Sequence, residues 1–127
     1  MEELVSRITA VTGLDADTAL KAVGLILSFL EKEGPADEVA KLVEAMPEAR
    51  AAMAAGEAAA SGGGMGMMGG MMGGGVMALG GKLMQIGVPM DQMKPLAREL
   101  LAYGREHAGE DAVGSIVASV PGLAQFV

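Results

Sequence analysis

The sequence feature that most constrains the fold of this 127-residue chain is a central run of fifteen residues that contains only serine, glycine and methionine. It extends from Ser61 to Gly75 and reads SGGGMGMMGGMMGGG. In a helix each glycine costs about 1 kcal/mol relative to alanine, because glycine loses the most backbone entropy on ordering. We call this run the Gly/Met segment, and we expect it to be mobile in the isolated protein and helical only against a close partner.

The residues of the Gly/Met segment are spaced as on one helix. Glycine recurs at every fourth position, and apolar residues follow at intervals of three or four as far as Ile86. A helix with this pattern presents a glycine groove beside a methionine ridge, a surface on which helices approach each other closely. The residues predicted to form this contact surface are Gly62, Gly66, Gly70, Gly74, Met68, Met72 and Val76.

Copper binding is one alternative function for the segment. Thioether sulfurs are soft ligands that suit Cu(I), and several methionines a few residues apart supply them. The candidate ligands are Met65, Met67, Met68, Met71 and Met72. No cysteine or nearby histidine reinforces such a site, so the sequence favours no bound metal or cofactor.

Membrane association is the second alternative. Residues 58–81 carry no charge, and a stretch of this length can cross a bilayer. However, nine of the fourteen residues from 62 to 75 are glycine, and Lys82 is the only basic residue that follows closely. Contact with protein is therefore favoured over insertion into lipid.

The chain on either side of the segment contains the same helical pattern twice. A shift of 74 positions places Gly13 on Gly87, Asp17 on Asp91, Leu27 on Leu101, Phe29 on Tyr103, Asp37 on Asp111, Val39 on Val113, Val43 on Val117 and Pro47 on Pro121. Coincidence of apolar, helix-start and proline positions indicates an internal repeat. We predict an all-α fold of two tandem three-helix units with pseudo-twofold symmetry. Residues 1–60 form the first unit with an alanine-rich arm, 61–75 the joining segment, and 76–127 the second unit.

Glycine and proline predict where the helices end. Gly13 is a left-handed cap for the first helix, and Asp15 is the N-cap of a second helix over residues 16–33. A third helix covers residues 36–46. The alanine-rich stretch that follows is predicted to be a helix that forms a solvent-exposed arm. In the second unit Pro95 is predicted to interrupt the chain, so that one turn forms near residues 90–94 and a long helix follows over 95–107. The two long helices are expected to pack together centrally.

The repeated stretches SFLEKEGPADEVAKLVEAMP and AYGREHAGEDAVGSIVASVP each combine a long apolar helix, an aromatic residue near its end and a terminating proline. With the low-complexity middle, this arrangement resembles the VcgC/VcgE family of uncharacterised bacterial proteins. The resemblance covers nearly the whole chain. It implies a small helical bacterial protein and implies no chemistry.

Composition excludes several classes of function. The formal net charge of −7 repels phosphates, so nucleic acid is not expected as a partner. The absence of cysteine excludes disulfides, thiol catalysis and cysteine-based metal sites. His107, the sole histidine, is placed at a helix C-terminus as a structural or exposed residue. No secretory signal is visible in MEELVSRITA, and a cytoplasmic location is the expectation.

The patterns together predict a protein without catalytic residues. We expect a helical module that self-associates into a homo-oligomer or binds an apolar protein partner, with the Gly/Met segment as its contact surface.

Overall fold

In a computed structural model, residues 2–61 and 76–120 are described, and every secondary-structure element in these two ranges is an α-helix. The helices of these ranges are α1 (Glu2–Thr12), α2 (Ala16–Glu33), α3 (Ala36–Ala45), α4 (Ala49–Ser61), α5 (Val76–Gln85), α6 (Met90–Ala108) and α7 (Glu110–Ser119). The prediction of an all-α fold is confirmed.

The turn between α1 and α2 is fixed by hydrogen bonds within the chain. Gly13 has a φ of +78°, a left-handed conformation that glycine adopts without steric cost, and its N–H donates to the Thr9 carbonyl at 2.9 Å. The buried Thr12 hydroxyl donates to the Ile8 carbonyl at 2.6 Å and accepts from the Leu14 N–H at 3.2 Å. The predicted glycine cap is therefore confirmed, and a threonine hydroxyl supports it.

The start and end of α2 lie where the sequence predicts them. Asp15 occupies the N-cap with extended backbone angles, although its side chain makes no capping hydrogen bond. At the other end the Gly34 N–H donates to the Leu30 carbonyl at 2.7 Å. Pro35 follows, has no N–H for a further helical bond, and becomes the N-cap of α3.

The core between the helices is almost entirely aliphatic. Helix α2 lies along α4, α1 packs on α6, α3 packs on α7, and α5 contacts α2, α4 and α6. Phe29 and Tyr103 are both buried, as expected for core aromatic residues. The largest fully buried side chains are Leu4, Ile8, Leu25, Leu27, Leu30, Leu42, Met46, Leu96, Leu100, Leu101, Ile116 and Val23.

The helices on the two sides of the Gly/Met segment correspond in position. Helices α2 and α6 begin at residues 16 and 90, and α3 and α7 begin at 36 and 110, a difference of 74 in both cases. Gly13 and Gly87 are also 74 positions apart, and both have positive φ. The contacts correspond as well. Helix α1 packs on the long helix α6 after the segment, and α5 packs on the long helix α2 before it.

The alanine-rich stretch is not a solvent-exposed arm, so that prediction was wrong. It forms α4, and its residues Ala49, Ala52 and Met53 are buried. Exposure was predicted because each alanine side chain buries little apolar area. They also allow two backbones to come close, and here they bring α4 against α2.

The predicted interruption at Pro95 was also wrong. Helix α6 is continuous from Met90 to Ala108, and Pro95 is its sixth residue. Proline at this position removes only one helical hydrogen bond, which would run to the carbonyl of Asp91 near the helix start. The buried side chains of Met93 and Leu96, on either side of the proline, hold both parts of the helix on the core.

The predicted central pairing of the two long helices is only a minor contact. Helices α2 and α6 touch, but the main neighbour of α2 is α4 and the main neighbour of α6 is α1. Each long helix therefore packs mainly on a helix other than its counterpart.

Candidate functional site

The residues predicted to form the contact surface and the copper site fall between 62 and 75, outside the described residues. This holds for Gly62, Gly66, Gly70, Gly74, Met65, Met67, Met68, Met71 and Met72. Val76, the last member of the predicted surface, is the first residue of α5. The structure describes the two helices that bracket the segment, α4 before it and α5 after it.

Helix α4 approaches α2 so closely that each helix needs a glycine where they cross. A Cβ at Gly24 of α2 would overlap the carbonyl group of Ala52. A Cβ at Gly56 of α4 would lie 2.5 Å from the carbonyl oxygen of Lys21 and 2.9 Å from the amide nitrogen of Leu25. All of these obstacles are backbone atoms, which cannot rotate away. The reciprocal glycine contact therefore fixes α4 on α2 before the chain reaches the Gly/Met segment.

Helix α5 is fixed after the segment by apolar burial. Its side chains Leu79 and Leu83 are both buried in the common core. The chain then turns at Gly87, which has a φ of +103°, while the Val88 N–H donates to the Leu83 carbonyl at 2.9 Å. These contacts set where α5 begins relative to α2, α4 and α6.

A charged cluster connects the helices on the two sides of the segment. Glu57 of α4 places Oε1 3.9 Å from Nζ of Lys32 on α2 and Oε2 3.7 Å from Nζ of Lys82 on α5. Pairs this long and this exposed contribute about 0–1 kcal/mol each. We call Lys32, Glu57 and Lys82 the neck, because they join α4 to α5 close to both ends of the Gly/Met segment.

A second charged cluster connects α1 to α6. Arg7 Nη1 lies 2.8 Å from Glu106 Oε2, which makes the contact a close ion pair. The Arg7 Cζ atom lies 5.9 Å from the centre of the Tyr103 ring. Tyr103 in turn stacks on His107, with ring centres 4.1 Å apart and planes inclined by 34°. His107 thus packs on an aromatic ring in the last turn of α6.

The pKa values of the Arg7 and Glu106 pair predict how stability depends on pH. Close side-chain contact with Arg7, and after it the guanidinium charge, lowers the pKa of Glu106 below its ordinary value. A carboxyl with a lowered folded-state pKa stabilises the fold above its unfolded value of about 4.3, and loses this contribution as pH falls through the folded value. We expect the unfolding free energies of wild type and E106Q to differ most at neutral pH. They should converge as pH falls below about 4.3 and through the lowered pKa of Glu106.

Urea unfolding of both proteins over this pH range measures the difference. A gap that stayed constant from about pH 7 to about pH 3 would show that Glu106 acts through packing and not through its charge.

Two further observations concern binding chemistry. Within residues 2–61 and 76–120, no group of three or more histidine, aspartate or glutamate side chains is placed to hold a metal ion. In the described part of the chain, no helix is both long enough and apolar enough to cross a bilayer.

Comparisons with protein-family models, with curated proteins and with solved structures find no match for this chain.

Sequence reasoning missed the reciprocal glycine contact and the neck. A signal for the first is present, since Gly24 and Ser28 on α2, and Ala52 and Gly56 on α4, are pairs of small residues four positions apart. Such pairs are typical of helices whose backbones approach closely. The neck has no comparable signal, because its three residues are far apart in sequence and meet only in the folded chain.

Proposed function

We propose that this chain is a non-enzymatic helical module that self-associates, or binds an apolar protein partner, through the Gly/Met segment. The observation that carries the proposal is that the helices bracketing the segment are fixed beside each other. Helix α4 is held on α2 by Gly24 and Gly56, and α5 is held on the same core by Leu79 and Leu83. Oε2 of Glu57 on α4 and Nζ of Lys82 on α5 lie 3.7 Å apart. A segment with both ends held in one place loses less entropy on meeting a partner than a free chain does.

The chemistry of the segment favours an apolar partner. Methionine side chains are flexible and polarisable and adapt to irregular apolar surfaces, while glycines allow another backbone to approach closely. The segment itself carries no charge, so the acidic character of the rest of the chain does not oppose the contact. Nucleic acid is not proposed as a partner because the net charge is −7, and the proposed location is the cytoplasm.

We also infer that α1–α3 and α5–α7 form two tandem three-helix units related by pseudo-twofold symmetry. Two observations support this arrangement. The helices are offset by a common 74 residues, and the first helix of each unit packs on the long helix of the other, α1 on α6 and α5 on α2. The repeated pattern also supports membership of the VcgC/VcgE family as a proposal. In this arrangement α4 is an additional helix that leads from the first unit into the contact surface.

The test of this proposal is the oligomeric mass of a variant with a blocked glycine groove. We expect the wild-type chain to form a defined oligomer in light scattering. The triple variant G66L/G70L/G74L should shift the mass to that of the monomer, since leucine fills the groove on which the partner helix would pack.

A matched control is G81L, which changes a glycine of α5 that has no atom within 4 Å of the added Cβ. It should keep both the oligomer and the helical circular dichroism of wild type. An unchanged mass in the triple variant, at unchanged helicity, would refute the role of the Gly/Met segment in assembly.

A further inference from the structure

A second candidate contact surface lies on the far side of α6, away from the neck. Helices α1 and α6 border an open groove of about 550 Å³. Val11 of α1, which is 49% exposed, forms an apolar part of its wall. The other lining residues all belong to α6 and are Pro95, Arg98, Glu99, Ala102 and Arg105. We call it the arginine groove.

The position of the arginine groove corresponds to the site that α4 occupies on α2. The α6 residues 95, 98, 99 and 105 follow residues 21, 24, 25 and 31 of α2 by 74 positions each. All four of these α2 residues contact α4. If the repeat proposed above holds, the groove is the place in the second unit where the first unit carries a packed helix.

Two residue differences define what kind of helix would fit. Arg98 takes the place of Gly24, so a long side chain excludes the close backbone approach that α4 makes. Arg105 takes the place of Glu31, whose Oε2 lies 3.5 Å from Nη1 of Arg50 on α4. The charge at this contact is thereby reversed. An occupant of the arginine groove would lie farther from α6 and carry carboxylates.

The two arginines are available for such an occupant. Among the described residues, neither Arg98 nor Arg105 has an acidic oxygen within 4 Å. They are seven residues apart on one face of α6, which corresponds to about 10.5 Å along the helix axis. Glu99 lies between them on the groove wall. The groove thus presents positive, negative and positive charge in that order.

The outer face of α3 carries the complementary pattern. Asp37, Lys41 and Glu44 are exposed and follow the i, i+4, i+7 spacing of one helix face. In the described part of the chain Asp37 and Glu44 have no cation within 4 Å, whereas Lys41 lies 3.8 Å from Glu38. The two acidic groups are therefore separated by the same seven residues as the two arginines.

We propose that α3 of a second copy of this chain docks in the arginine groove, with Asp37 and Glu44 paired to Arg98 and Arg105. The contact uses residues outside the Gly/Met segment, so it is an additional interface beyond the proposed function. It depends on charge and is screened by salt, whereas the apolar contact of the Gly/Met segment is not weakened by salt.

Charge reversal on each side tests the pairing. In sedimentation experiments at about 0.05 M salt, R98E/R105E and D37R/E44R should each weaken self-association at least about tenfold, because like charges then face each other. Mixing the two variants, or combining all four changes in one chain, should restore association. Raising the salt to about 0.5 M should weaken wild-type association through this surface.

Two controls separate the pairing from general charge effects. E110R/D111R makes the same change in net charge as D37R/E44R, but on α7, and should leave association unchanged. R98K/R105K keeps the groove positive and should retain most of the association. Circular dichroism confirms that each variant is folded. Failure of the four-fold variant to recover, or a wild-type chain that is monomeric at low salt, would overturn the proposal.

The two interfaces are distinguished by comparing variants. Loss of assembly in G66L/G70L/G74L but not in R98E/R105E would refute the arginine groove and leave the proposed function standing. Loss in R98E/R105E alone, with recovery in the four-fold variant, would support the groove and refute the role of the Gly/Met segment.

Discussion

Replacing Gly24 by alanine is expected to lower the free energy of unfolding by about 3 kcal/mol and the melting temperature by about 10 °C. The added methyl group would overlap the carbonyl of Ala52, so α4 must move away from α2. That movement would also open the contact at Gly56 and disturb the buried Met53. Urea and thermal unfolding followed by circular dichroism measure the loss.

The matched control is Gly114 of α7, a helical glycine with no atom within 4 Å of an added Cβ. Because alanine restricts the unfolded chain and suits a helix, G114A should stabilise the protein by about 0.5–1 kcal/mol. If G24A and G114A had the same effect, the close crossing of α2 and α4 would not exist in the folded protein.

The second large effect is expected when the chain is divided. We expect fragment 1–61 and fragment 76–127, each alone, to show about half or less of the helicity that they show when mixed. Each fragment has fewer than about 65 residues, and a chain of that size buries a smaller share of its surface, about 60%, than a larger domain does. More importantly, α1 buries Leu4 and Ile8 in a core shared with α6, and α5 buries Leu79 and Leu83 in a core shared with α2.

Circular dichroism of the separate and mixed fragments, with size-exclusion chromatography to detect a one-to-one complex, measures this dependence. A mixture of 1–61 with a second portion of 1–61 is the control for non-specific association. If fragment 76–127 alone gave the full helicity and a cooperative melt, the second half would be an independent domain.

The sequence predicted helix ends best where a glycine or a proline acts on its own turn of helix. Gly13 and the Gly34-Pro35 pair predict the ends of α1 and α2 because a left-handed residue and a missing N–H act on their own turn of helix. The same local reasoning led to the wrong prediction of a helix break at Pro95. Its local cost is offset by the burial of Met93 and Leu96, and that burial is a property of the folded protein and not of the neighbouring residues.

The placement of α4 was missed for a related reason. Hydrophobic periodicity counts apolar side chains, and a helix rich in alanine and glycine scores low on that count. The stabilising feature is the fit of one backbone to another, which depends on where Gly24 and Gly56 meet in space. The candidate contact residues between 62 and 75 were identified from sequence spacing alone, and they stay predictions that the proposed variants test.

The way in which α4 and α5 are held affects how the chain can change in length. Helix α4 is held on α2 by the Gly24 and Gly56 crossing, and α5 is held on the core by Leu79 and Leu83, so the packing of both helices depends little on how many residues join them. Doubling the length of a flexible connection adds only about 0.6 kcal/mol of closure entropy. Insertions or deletions between residues 62 and 75 are therefore expected to leave the stability of the helical body nearly unchanged.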